Sequence, residues 1–141
     1  MQPQPNLQRF LDAQKSSYQT ALTEIKNGKK RSHWMWYVFP QIQGLGFSET
    51  SKFYAIKDVS EAEAYLQHPV LGARLIEIST VAAQLLSDNA TQVFGSPDDM
   101  KLKSCMTLFA ALGQPNPVFQ QVLDKFFSGK KDAQTLSIIR K

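Results

Sequence analysis

Three prolines, Pro69, Pro97 and Pro117, each follow a polar residue and lead into apolar residues spaced for a helix. Proline suits the first turn of a helix, where a missing N–H costs nothing, and breaks a helix further in. The chain is therefore cut into short helical pieces. Ser96-Pro97-Asp98-Asp99 is the clearest boundary: a capping serine, a proline at the first helical position and two acids at the positive end of the helix dipole. The helix it opens runs through Leu102, Met106, Phe109 and Leu112 to Gly113. Asn116-Pro117 repeats the device for Val118, Val122, Leu123 and Phe126, stopped by Gly129, and Pro69 opens a helix whose apolar face is Leu71, Leu75, Ile78, Ala82 and Leu85.

The remaining segments follow the same logic. Asn6 caps a first helix that carries Phe10, Tyr18, Leu22 and Ile25 on one face and stops at Gly28. Ser32 caps a second through Val38, ending before Pro40. Ser48 or Thr50 starts a third, with Phe53, Tyr54 and Ile56. Ser60-Glu61-Ala62-Glu63 has capping-box spacing and predicts a helix start, and Asp132 caps a last helix ending near Arg140. No stretch sustains the alternation of a strand, although Thr91–Phe94 fits a short one. The expectation is one all-α, compact multihelical domain of about seven to eight helices over residues 6–141, behind a flexible lead at 1–5.

With 141 residues, such a domain buries roughly 68–70% of its unfolded surface and needs no disulfide or structural metal. A single cysteine, Cys105, excludes an internal disulfide, and two histidines with one cysteine do not close a tetrahedral zinc site. The expected setting is a reducing cytoplasm, with no metal and no cofactor. The first six residues lack the pattern of a secretory leader. The longest apolar run, Met35–Phe39, is far below the ~20 residues that span a bilayer, so no membrane segment is expected.

Charge is segregated. Lys26, Lys29, Lys30 and Arg31 cluster with no acid between them, residues 125–141 are basic, and residues 76–100 carry only acids. A basic tract can meet phosphate, nucleic acid or an acidic protein, or form a solvated loop. Without a long arginine-rich run, nucleic acid is not the expected partner.

The densest segment is His33-Trp34-Met35-Trp36-Tyr37-Val38-Phe39-Pro40-Gln41, holding both tryptophans. A helix with aromatics all round either lies wholly in the core or turns one side, His33, Trp36, Tyr37 and Gln41, to a pocket. Gly44-Leu45-Gly46-Phe47-Ser48-Glu49-Thr50-Ser51 is a glycine turn before hydroxyl residues at a helix start, whose free amides either hold a phosphate or simply cap. Asp98 and Lys101 are spaced to pair on a helix, with Ser104 and Thr107 nearby. Asp98 reads as a general base, a ribose-hydroxyl acceptor or a plain surface acid. Cys105 reads as core, and His68 as a cap or packing residue.

Several of these stretches together, namely 33–41 with Gly44-Leu45-Gly46-x-Ser48, Tyr54-Ala55-Ile56, His68-Pro69-x-Leu71-Gly72-x-Arg74-Leu75, Phe94-Gly95-x-Pro97-Asp98-x-x-Lys101-x-x-Ser104 and Met106–Phe109, carry a resemblance. The chain resembles the bacterial "domain of unknown function 1810" proteins almost end to end, which implies a multihelical cytosolic protein without a settled activity. The layout Met106…Phe109, Phe119…Leu123…Phe126…Gly129…Thr135-Leu136 is also similar to the C-terminal half of NADAR domains, handlers of ADP-ribose and related N-glycosides. No catalytic residue carries over from them.

The leading expectation is a site that binds or hydrolyses a nucleotide-derived small molecule such as an ADP-ribose-like N-glycoside. Trp36 and Tyr37 stack the ligand, helped by Gln41 and Tyr54. Lys29, Lys30 or Arg31 and the amides near Ser48 and Ser51 hold phosphate, and Ser104 adds a polar contact. Asp98 serves as acid/base or ribose acceptor, with Lys101 and His33 polarising groups. The alternative is a non-enzymatic module that meets a protein or nucleic acid through the aromatic and basic segment 29–41.

Overall fold

The computed structural model describes residues 7–140; the lead at 1–5, the Asn6 cap and Lys141 lie outside the described residues. Nine helices appear among them: α1 (Gln8–Lys26), α2 (Met35–Val38), α3 (Glu49–Tyr54), α4 (Val59–Gln67), α5 (Leu71–Ala83), α6 (Ala90–Phe94), α7 (Asp98–Ala110), α8 (Val118–Phe127) and α9 (Ala133–Ile139). Helix α6, one more than the sequence predicts, holds the stretch that fits a strand by sequence. Asn89 Oδ1 accepts from Gln92 N at 3.0 Å and caps Thr91–Phe94 into the helix α6.

The centre of the fold is α7. It buries Leu102 and every residue from Ser104 to Phe109, and it packs against α8, α9, α6 and α4. Cys105 is sealed there, and burial pushes its thiol well above the ordinary range. Outside this centre, α5 packs on α8, α1 and α4, with Leu75, Ile78 and Ala82 inward. The approach of α4 to α5 is close. A Cβ on Gly72 would stand 1.9 Å from the carbonyl oxygen of Leu66, so only glycine fits.

Five helix starts differ from the sequence expectation, two of them slightly: α5 begins two residues after Pro69 with Val70 at the cap position, and Pro117 rather than Asn116 stands at the cap position of α8. Ser32 does not cap α2; its hydroxyl and amide both go to Glu24 on α1. Helix α4 begins at Val59, capped not by Ser60 but by Asp58 two residues earlier, whose Oδ1 accepts from Glu61 N at 2.9 Å. Asp58-x-x-Glu61 has the same spacing as Ser60-x-x-Glu63. Its register wins because Glu61, once inside, pairs with Arg9 at 2.9 Å and accepts from Lys57 N at 3.0 Å. At α7, Pro97 itself is the cap residue and Ser96 makes no cap bond; the acid Asp99 instead accepts from Met100 N and Thr91 Oγ1. Ser48 and Asp132 do cap, and ahead of α5 the Nδ1 of His68 accepts from the amides of Val70 and Leu71.

No helix among the described residues is long and apolar enough to cross a membrane. No group of three or more His, Cys, Asp or Glu side chains among them stands close enough to hold a metal ion.

Candidate functional site

The aromatic segment 33–41 divides its side chains between core and surface. Trp34 is 1% exposed and donates its indole N–H to Glu24 Oε1 at 2.8 Å. Tyr37 turns toward α1, donating to Ser17 Oγ at 3.0 Å, and packs on Tyr54. His33 is exposed. Trp36 alone of these aromatics lines a hollow, together with Gln41 just after the helix.

That hollow has a volume of about 250 Å³ and is walled by four parts of the chain: α2 with the loop to Gly46, α3, the first half of α7, and the start of α9. The loop wall is held by one bridge to the residues after α3, Gln43 N to Ile56 O at 2.7 Å and Ile56 N to Gln41 O at 2.8 Å. The loop then runs so close to α3 that a Cβ on Gly46 would meet Ser51 Cβ at 2.6 Å. This close pass brings Ser51, Lys52 and Tyr54 into the lining opposite Met100, Lys101 and Ser104 of α7.

Charge in the wall is organised by Asp98. Its Oδ2 lies 2.8 Å from Lys30 Nζ and its Oδ1 lies 3.4 Å from Lys101 Nζ. The two lysines in turn sit over the two indoles, Lys30 at 5.1 Å from the Trp34 ring and Lys101 at 4.6 Å from that of Trp36. Lys30 also donates to Ser32 O, and its side chain is only 7% exposed. It is thus enclosed, and Asp98 stands outside the lining with an ammonium on each oxygen. Lys101 is the member of this chain that reaches the hollow.

Of the residues expected at a site, the structure therefore gathers Trp36, Gln41, Ser51, Tyr54, Lys101 and Ser104 around one space. It sets Asp98, His33, Lys30, Tyr37 and Ser48 outside that space. Ser48 is occupied as the α3 cap, with Ser51 N at 3.1 Å and Ser51 Oγ at 2.8 Å. Lys52, Met100, Asp132 and Gln134 complete the lining without a sequence signal that sets them apart; Asp132 reads only as a helix cap. The basic loop after α1 also hides an acid partner. Glu24 takes hydrogen bonds from Arg31 N, Ser32 N, Ser32 Oγ and Trp34 Nε1. Burial pushes this carboxyl up, but the four donors, led by Ser32, outweigh it and bring it down to about 2.

The sequence model of a family described as "Protein of unknown function (DUF1810)" matches residues 4–139. Among solved structures, the chain is similar to the crystal structure of a conserved hypothetical protein, Rv1873, from Mycobacterium tuberculosis. The two are 42% identical, with 96% of this chain and 97% of that chain covered and a TM-score of 0.94. Among curated proteins, no match is found.

Proposed function

Since the chain belongs to the DUF1810 family, whose function is unknown, no activity is inherited, and we propose from the hollow's chemistry that it binds a nucleotide-derived small molecule. The carrying observation is the ammonium of Lys101 seated over the Trp36 indole at the wall of a partly enclosed space. An aromatic face with a cation beside it suits a base and a phosphate together. In this reading Trp36 stacks the base, with Tyr54 and Met100 bounding it. Lys101 and Lys52 hold phosphate, and Gln41, Ser51 and Ser104 supply polar contacts. At about 250 Å³ the space is smaller than the roughly 300–1,000 Å³ of drug-sized sites. It takes one nucleoside-sized part of a ligand, and the rest of an ADP-ribose-like molecule lies along the open side.

Binding is favoured over hydrolysis of an N-glycosidic bond, because Asp98, the expected acid/base, has both oxygens held by lysines. The reading rests on these side chains and not on the NADAR likeness. Calorimetric titration of the whole chain with ADP-ribose, NAD and 5′-nucleotides tests it. Binding heat is expected for at least one of them. Trp36→Ala, with its helical circular dichroism kept, is expected to weaken that binding by about ten- to a hundredfold, the worth of one stacked base. No heat and no hydrolysis with any of them overturns the proposal.

One observation favours the interaction-module reading. Phe47 is 85% exposed and Phe53 58% exposed, and each follows a residue of the lining in sequence, Gly46 and Lys52. A partner docking there with an affinity for RNA or DNA that falls steeply with salt would support the module instead.

A further inference from the structure

We propose that Asp132 is the specificity residue of the hollow, accepting the hydroxyl protons of a ribose vicinal diol so that ribonucleotides are selected over their dideoxy analogues; this rests on the nucleotide reading of the hollow. Among the described residues that line the space, Asp132 supplies the one carboxylate. It is held firmly. Its own N–H donates to Thr107 Oγ1 at 2.9 Å, and its Oδ2 accepts from Thr135 N at 2.9 Å and Thr135 Oγ1 at 2.6 Å. Thr107 and Thr135 are both fully buried. Oδ1 accepts no hydrogen bond among the described residues.

A fixed carboxylate oxygen is an acceptor only, so the ligand group that satisfies it must donate. A phosphate cannot, and is repelled toward Lys52 and Lys101. A vicinal diol offers two O–H donors, and carboxylates fix the sugar in this way in nucleotide sites on unrelated folds. Asp98 is not available for the same task, since Lys30 and Lys101 take its two oxygens. The serine hydroxyls of the wall are committed as donors or partners: Ser104 donates to Met100 O at 3.1 Å, and Ser51 bonds Ser48 at 2.8 Å.

The test is calorimetric titration of AMP and of 2′,3′-dideoxy-AMP into the whole chain, wild type and Asp132→Asn. Asparagine keeps a carbonyl oxygen for Thr135 but replaces the free acceptor by a donor. Wild type is expected to prefer AMP by about tenfold or more, the usual worth of hydrogen bonds to a charged group. The preference should shrink to within about twofold in the variant. Equal affinities in wild type, a comparison that needs no variant to fold, overturn the assignment, as does a preference that survives Asp132→Asn. If both nucleotides bind equally and Trp36→Ala weakens both by the same ten- to hundredfold expected above, the assignment of Asp132 fails while the nucleotide site stands. If AMP does not bind, the assignment fails, and silence toward ADP-ribose and NAD as well takes the site with it.

Discussion

Single residues with many partners fix this molecule more than their position in the sequence suggests. Glu24 is one acid in a helix that looks solvated, yet its carboxylate gathers two backbone amides, a hydroxyl and an indole. Its effect depends on pH in a definite direction. The unfolded chain binds a proton on this group near 4.5 and the folded chain only near 2. The stabilisation is therefore complete above pH 4.5 and is lost as pH falls through that window. Glu24→Gln keeps one acceptor oxygen and removes the titration. Denaturant unfolding should show it about 1–2 kcal/mol less stable than wild type at neutral pH, with the gap closing between pH 4.5 and 2. A gap independent of pH would show that the charge has no part in it. Gly72 acts through the absence of a side chain. With Leu66 O at 1.9 Å from a would-be Cβ, Gly72→Ala must displace backbone. We expect a loss of about 3 kcal/mol, at the upper end for overpacking, read as a lower urea midpoint. These two residues mark a limit on what the sequence discloses: a contact such as Glu24 with Trp34, or α4 against α5, exists only once the elements have docked.

At the level of elements, caps and prolines disclosed most boundaries, because a helix end is a local problem solved by local residues. Ser48 and Asp132 each cap where the sequence places a start. The failures share one cause, which is competition between equivalent local solutions decided from outside the segment. Ser60-x-x-Glu63 and Asp58-x-x-Glu61 are equal by spacing, and Arg9, far away on α1, selects the second by pairing with Glu61. Thr91–Phe94 has the residue types of a strand, and Asn89 with the buried faces of Val93 and Phe94 makes it a helix. The α4 choice has a direct check. Asp58→Ala should cost about 1 kcal/mol in thermal or denaturant unfolding, as a lost cap does. Ser60→Ala should stay within about 0.5 kcal/mol of wild type. The reverse ranking would place the cap on Ser60. The same reasoning covers the aromatic helix. Periodicity cannot say which side of four helical residues meets the core, and Glu24 decides it by drawing in Trp34 and leaving Trp36 at the hollow.

For the whole molecule, the question is whether the hollow is an appendage or a part of the core. Its walls come from α2, α3, α7 and α9, and α7 is the buried centre on which α4, α6, α8 and α9 pack. The buried residues Met35 and Val38 of α2, Leu102 and Phe109 of α7, and Phe119 of α8 belong to one continuous cluster. The site's composition was half legible for the same reason that the fold was. Trp36, Lys101 and Ser104 belong to segments dense in chemistry, whereas Lys52, Asp132 and Gln134 join them only through tertiary packing. A ligand gripping residues from all four walls cannot stabilise one of them alone. Unfolding by calorimetry should therefore be a single transition with equal calorimetric and van't Hoff enthalpies, with a total near roughly 100 kcal/mol at about 60 °C for a chain of this length. A nucleotide present at a hundred times its dissociation constant adds about 2.7 kcal/mol to the folded state. That should raise Tm by about 8 °C while leaving one transition. Two resolved transitions, with only the first moved by ligand, would show that the hollow's walls melt apart from the α7 core. The joining of site and core through α7 and its hydrophobic cluster would then be wrong. In Trp36→Ala the same scan at the same nucleotide concentration should keep its single transition while the ligand-dependent shift falls to about 1–4 °C, because the indole contributes to the ligand's grip and not to the packed centre.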